Sequence, residues 1–135
     1  MSDRIEVRVR YAETDKMGYV YYANYLEYFE MARTEYIRER GKSYRQVERE
    51  GYLLPVTEAW TKYFKPAGYD DLLTIETEVS SVGRASMEFH YIVKNEGGET
   101  LAEGRTKHAF INKKGKITQL PEDIRRKLLT PKKEV

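Results

Sequence analysis

The chain has 135 residues, a length suited to one compact domain able to bury a core without staples. Hydrophobic residues make up 40% and charged residues 34%, a balance that excludes a disordered chain, and the absence of cysteine excludes disulfides, thiolate nucleophiles and cysteine-ligated zinc. The net charge is only +2, with both signs mixed along the chain, which argues against nucleic acid as a partner.

The N-terminal stretch MSDRIEVRVRY has no continuous apolar run of the kind a signal peptide needs. No later segment approaches the length of a membrane span, and a cytoplasmic protein is expected. From Arg4 to Tyr11, apolar Ile5, Val7, Val9 and Tyr11 alternate with charged residues, which predicts a half-buried strand. Residues 12–18 break the alternation and end at Gly18, a turn or a place of close backbone approach. A helix follows over about Tyr25 to Arg40. Tyr25, Leu26, Tyr28, Phe29, Met31, Ala32, Tyr36 and Ile37 give it a wide apolar face, so it is expected to be deeply packed. Asn24 is placed as its N-cap with Glu27 completing a capping pair, and Gly41 as its stop. Tyr44–Glu50 reads as a second, short helix.

Beyond Gly51 the pattern turns to strands. They are expected over Leu53–Lys65, closed by Pro66 and Gly68, then over Leu72–Ser81, Ala85–Lys94 and Leu101–Ile111. The turns between them carry Gly83, the pair Gly97-Gly98, and Gly115. Pro121–Leu129 reads as a terminal helix, and the lysine-rich tail over 129–135 as frayed. The order is one strand, a long helix, then four strands in successive hairpins or a meander. A long helix with so wide an apolar face calls for a wide cover. The fold predicted is therefore α+β: an antiparallel sheet of about five strands, curled around a long central helix as a single domain over 1–135.

Several chemistries have no foothold. There is no glycine-rich phosphate loop and no Gly-x-Ser-x-Gly turn, and no ligand spacing suggests a metal. His90 and His108 lie 18 residues apart in separate strand patterns, where structural or solvent-facing roles are usual. Asp15 stands out. It occupies a loop pinned by a strand on one side, with Gly18 following and a helix N-terminus just beyond. A carboxylate and a set of free helix N–H groups are the two components a thioester hydrolase needs: one attacks or activates water, the other stabilises the oxyanion. On spacing alone, an aspartate that merely shapes a turn is the commoner case.

The run Arg8-Val9-Arg10-Tyr11-Ala12-Glu13-Thr14-Asp15-Lys16-Met17-Gly18-Tyr19-Val20-Tyr21-Tyr22-Ala23-Asn24-Tyr25 resembles the signature of the hotdog-fold 4-hydroxybenzoyl-CoA thioesterase family. Its continuation, Leu26 to Arg33, resembles that family's central helix, and the nearest branch is that of the YbgC-like acyl-CoA thioesterases. Gly68-Tyr69-Asp70-Asp71 and Gly83-Arg84-Ala85-Ser86 are similar to the family too, so the resemblance spans nearly the whole chain.

It implies a hotdog fold and hydrolysis of an acyl-CoA to free acid and CoA. Asp15 is the implied catalytic carboxylate, as general base or as nucleophile, and the backbone N–H of Tyr22 the implied carbonyl-polarising group. YbgC-like members often carry His where this chain has Tyr22. The main-chain donor survives that change, whereas an imidazole acid–base role does not. Gly18, Tyr19, Asn24 and Tyr25 are the implied substrate contacts, with an apolar acyl slot among the aromatics from Tyr19 to Phe29. Gly83, Arg84 and Ser86 are the first candidates to meet the CoA phosphates, with Lys62, Lys65 and Lys107 behind them. CoA is part of the substrate, so no separate cofactor and no metal are expected. A homodimer with its site at the subunit interface is implied, and tetramers are common in the family. Two alternatives compete: a non-catalytic acyl-CoA-binding or scaffold protein, and a hotdog dehydratase. The latter needs a histidine near the central helix, and none occurs between Met1 and Phe89.

Overall fold

The computed structural model describes residues 3–129. In chain order these form β1 (Asp3–Arg8), a single 3-10 turn (Tyr11–Glu13), α1 (Asn24–Arg38), α2 (Tyr44–Arg49), β2 (Tyr52–Leu53), β3 (Val56–Tyr63), β4 (Leu72–Val82), β5 (Ser86–Lys94), β6 (Thr100–Ala109), β7 (Ile111–Asn112) and α3 (Glu122–Leu129). The predicted tail over 129–135 lies outside the described residues except for Leu129, which is the last residue of α3.

The main sheet is antiparallel with five strands in the order β1-β4-β5-β6-β3, and β2 pairs with β7 as a separate ribbon. This α+β, hotdog-like arrangement keeps the predicted strand count but corrects its shape: the sheet is open, neither closed nor strongly curled, and β1 and β3 are its two edges. The reason lies in α1. Leu26 and Met31, counted on its apolar face, are exposed, and the buried stripe contracts to Tyr25, Tyr28, Phe29, Ala32, Tyr36 and Ile37. Those positions follow i, i+3, i+4, i+7 spacing, and one sheet face is enough to cover them.

That face is built by strict alternation. Leu73, Ile75 and Thr77 of β4 and Met87, Phe89, Tyr91 and Val93 of β5 are buried, while the residues between them are mostly half-exposed. Phe29 stacks on Tyr91 with ring centroids 4.4 Å apart. Gly104 in β6 permits this approach, because a Cβ there would lie 2.3 Å from the Phe29 ring.

Three further expectations are corrected. Only β4, β5 and β6 form a meander; β3 pairs with β6 on the far edge, so the chain crosses the end of the sheet from β3 to reach β4. The first strand ends at Arg8, and Tyr11 opens a 3-10 turn and is exposed, its ring edge-on to Tyr69. Asn24 is the first residue of α1 rather than its cap: the cap is Ala23, with no side-chain hydrogen bond. A capping box does occur at α2, where Ser43 Oγ accepts from Gln46 N–H and Gln46 accepts from Ser43 N–H.

Candidate active site

Residues 14–20 fold back as a small hairpin closed by the antiparallel bridge Thr14–Val20. Asp15 N–H donates to the Tyr19 carbonyl at 2.7 Å, and Gly18 N–H donates to the Asp15 carbonyl at 2.9 Å. Gly18 has φ +85, a left-handed conformation that favours glycine. Asp15 Oδ1 accepts from Met17 N–H at 2.9 Å and from Tyr19 N–H at 3.2 Å. One carboxylate oxygen is thereby locked to the backbone, and Oδ2 has no hydrogen bond among the described residues.

Two supports hold this loop. On one side is the crossing segment from β3 to β4: Val20 N–H donates to the Ala67 carbonyl at 2.8 Å, and Tyr19 bridges to Gly68. The Gly68–Asp71 turn places Asp70 at φ 69 and is tied back to β1, with Arg8 Nη1 donating to the Asp70 carbonyl at 2.8 Å. On the other side is Glu13. Its carboxylate is buried and accepts from Arg10 N–H at 2.9 Å, Arg10 Nε at 3.0 Å and the Tyr28 hydroxyl at 2.9 Å. Burial alone raises a carboxyl pKa, yet these donors and the guanidinium charge together hold Glu13 below its ordinary value. The Tyr28 hydroxyl is raised, first by burial and then by its bond to that carboxylate.

Glu13 also sets the start of α1, since its carbonyl accepts from Tyr21 N–H at 2.8 Å. Beyond Tyr21, the N–H groups of Tyr22 and Ala23 have no acceptor among the described residues. Such open donors at a helix start favour an anion. The Tyr22 carbonyl accepts from the Tyr63 hydroxyl at 3.0 Å, which fixes the peptide frame at this point.

Asp15, Tyr19, Tyr22 and Tyr25 line one cleft of about 320 Å³, completed by Tyr63, Phe64 and Lys65 from the end of β3 and the crossing segment. The fold thus brings four of the expected site residues together. Gly18 shapes the loop behind them, and Asn24 N–H is taken by the Tyr21 carbonyl. The turn carrying Gly83, Arg84 and Ser86 is elsewhere. It follows Val82, which pairs with Met87, itself level with His108 and the start of β3. The cleft lies at the other end of β3, about 23 Å away for seven strand residues. The turn is fastened to α3 by Arg125 Nη1, which donates to the Gly83 carbonyl at 2.8 Å and to the Arg84 carbonyl at 3.4 Å. Lys65 of the cleft pairs with Glu99, Lys107 lies 3.7 Å from Glu58, and the Lys62 ammonium sits 5.6 Å from the Phe64 ring centroid.

Tyr63, Phe64 and Glu13 were not singled out by sequence. Tyr63 and Phe64 sit in an ordinary strand pattern, and only the crossing connection turns them to Asp15. Glu13 had a signal, a second carboxylate two residues before Asp15 in the same motif, though its Tyr28 partner lies fifteen residues on.

A second cavity, of about 220 Å³, lies at the far end of the groove between α1 and β3. Glu30, Arg33 and Ile37 of α1 face Val56, Phe89 and His108 across it. His108 is buried: Nδ1 donates to the Leu54 carbonyl at 2.9 Å, so Nε2 accepts from the Thr106 hydroxyl at 2.9 Å. Burial, with Arg33 adding to it, brings the imidazole down to about 4 despite the Leu54 bond, so it is neutral at ordinary pH. His90 is on the opposite sheet face, 2.9 Å from Glu103. Neither histidine lines the Asp15 cleft. Among the described residues no cluster of three His, Asp or Glu side chains could hold a metal, and no helix is long and apolar enough to cross a membrane.

An open α+β sheet carrying one long helix, with a pinned carboxylate beside that helix's open N-terminus, defines a hotdog-type thioesterase architecture. Comparison with known proteins agrees. Residues 9–128 match the thioesterase-like superfamily. The acyl-CoA thioester hydrolase YbgC of Escherichia coli O157:H7 is 34% identical over 122 residues, covering 90% of this chain and 91% of its own. The crystal structure of a DHNA-CoA thioesterase from Staphylococcus aureus superposes with a TM-score of 0.83 at 36% identity, over 87% of this chain and 79% of that one. A hypothetical protein from Aquifex aeolicus superposes with a TM-score of 0.89 at 32% identity, over 93% and 98% of the two chains. The chain belongs to the thioesterase-like superfamily, close to its YbgC-like acyl-CoA thioesterases.

Proposed function

We propose that this chain is an acyl-CoA thioesterase in which Asp15 supplies the side-chain chemistry and the Tyr22 amide polarises the thioester carbonyl. One observation carries the reading: the Asp15 carboxylate, locked through Oδ1, shares a cleft with a helix start whose Tyr22 N–H has no acceptor. A carboxylate held this way presents Oδ2 in a fixed direction at no further ordering cost.

Two routes are compatible with that geometry. As general base, Asp15 takes a proton from water while the water oxygen attacks the carbonyl carbon. The C–S bond then breaks, and the proton passes to the departing CoA thiolate. As nucleophile, Oδ2 attacks the carbonyl carbon and expels the thiolate, leaving a mixed anhydride that water cleaves to free acid and Asp15. In both, negative charge gathers on the carbonyl oxygen facing the helix N-terminus. Turnover in heavy-oxygen water separates them, because label enters the Asp15 side chain only if an anhydride forms and water attacks its Asp15 carbonyl.

The proposal includes a homodimer joined through β3. All but one of its eight residues are exposed, so both faces of this edge strand lie open, with Val56, Trp60 and Tyr63 each 45% exposed. Antiparallel pairing of two β3 edges about their middles sets the start of one beside the end of the other. Each Asp15 cleft then faces the partner's end of the sheet that carries the Gly83–Ser86 turn, where Arg84 can meet the CoA phosphates. The whole chain acts as one domain in this reading, and it works in the cytoplasm with its acyl-CoA substrate.

The test is a panel of short, medium, long and aromatic acyl-CoAs with a thiol-detecting dye. Release of CoA from at least one class is expected, and silence across the panel overturns the proposal.

A further inference from the structure

Tyr25 lies three residues beyond Tyr22, in the first turn of α1. Tyr22 stands just before the N-cap Ala23, and Tyr25 N–H donates to the Tyr22 carbonyl at 3.4 Å, so one turn joins the two residues at the rim of the same cleft.

The residue is only 3% exposed, and its ring is held edge-on between Tyr28, at 5.8 Å, and Tyr63, at 5.3 Å. Both neighbours use their hydroxyls inside the protein: Tyr28 donates to Glu13 and Tyr63 to the Tyr22 carbonyl. Tyr25 does not. Its hydroxyl has no protein partner among the described residues, yet it is not one of the sealed, unpaired side-chain atoms, which are at Asp3 and Thr77. The little of Tyr25 that solvent reaches thus includes an unpartnered hydroxyl, on a residue lining the cleft of Asp15 and Tyr22. Deeply placed hydroxyls almost always have a partner. One left open beside a carboxylate and a free amide is suited to a ligand.

We infer that the Tyr25 hydroxyl is a second hydrogen-bond donor to the thioester carbonyl oxygen, completing with the Tyr22 amide the site that holds the oxyanion. The inference rests on the thioesterase reading above. As the new bond to the carbonyl carbon forms, the C=O electron pair moves onto oxygen and is held by both donors. As the tetrahedral centre collapses, that pair re-forms C=O, the C–S bond breaks and the sulfur keeps its electrons. Tyr25 keeps its proton throughout. Burial, with Tyr63 and Asp71 nearby, pushes its hydroxyl up to about 12, so it stays a donor at neutral pH.

Tyr25→Phe removes the hydroxyl and keeps the ring. Measured on the acyl-CoA that the wild type cleaves best, kcat is expected to fall on the order of 10²-fold, the usual loss for one oxyanion donor, with KM changed by less than about twofold. The urea midpoint is expected to hold or rise, because no bond within the protein is lost. Tyr28→Phe, which does lose a bond to Glu13, is the contrasting variant and is expected to lower the midpoint. An active wild type with unchanged kcat in Tyr25→Phe overturns the inference alone, as does a midpoint that drops as far as in Tyr28→Phe. A wild type silent on every acyl-CoA overturns the thioesterase reading and this inference with it.

Discussion

Glu13 shows how much at this site depends on single side chains. Its carboxylate binds Arg10 and Tyr28, and its carbonyl binds Tyr21 N–H, so one residue holds both the Asp15 loop and the peptide before Tyr22. Glu13→Ala leaves the buried Tyr28 hydroxyl without an acceptor, at a cost of about 1–3 kcal/mol. Urea unfolding checks this, and turnover is expected to fall by more than the stability loss accounts for, because the segment before Asp15 loses its side-chain ties to Arg10 and to Tyr28 of α1 and keeps its main-chain bond to Tyr21. At this scale the motif around Asp15 was readable in sequence, since Asp15, Gly18 and Tyr22 stand at set offsets within eight residues. The placement of Tyr63 was not, because it depends on a strand end more than forty residues downstream reaching the same cleft.

At the level of elements, helix positions were readable because apolar periodicity and stop signals agree over α1, α2 and α3. Periodicity could not tell that Leu26 and Met31 face outward, and from that came the expectation of a curled sheet. Strand neighbours were hidden for a related reason: β3 has no buried face, so nothing in its pattern distinguishes an edge beside β6 from a place beside β4. Contact between α1 and the sheet depends on Gly104. Gly104→Ala puts a Cβ 2.3 Å from the Phe29 ring, and overpacking of this kind is expected to cost about 1–3 kcal/mol in urea unfolding.

His108 gives β6 a pH signature. Its folded value of about 4 lies below the ordinary 6.5, mainly because it is buried. Above pH 6.5 neither folded nor unfolded chain binds this proton, and the stability is fully present. As pH falls from there to about 4, only the unfolded chain takes it up, and up to about 3 kcal/mol is lost. The urea midpoint of the wild type is expected to drop across that window, and less steeply in His108→Gln.

For the whole molecule, the dimer proposed through β3 would account for a long edge strand that exposes Val56, Trp60 and Tyr63 and for the distance between the Arg84 turn and Asp15 within one chain. Trp60→Asp is expected to shift the mass in light scattering to that of the monomer and to raise KM for acyl-CoA. An unchanged mass removes β3 from the interface. All of this serves one claim, that acyl-CoA is cleaved through the carboxylate of Asp15. Turnover of Asp15→Asn tests it most directly, since the amide keeps the size of the side chain and an acceptor for Met17 and Tyr19 N–H. The expected result is a wild-type urea midpoint and mass with kcat down on the order of 10³-fold or more. Near wild-type kcat in that variant contradicts the claim.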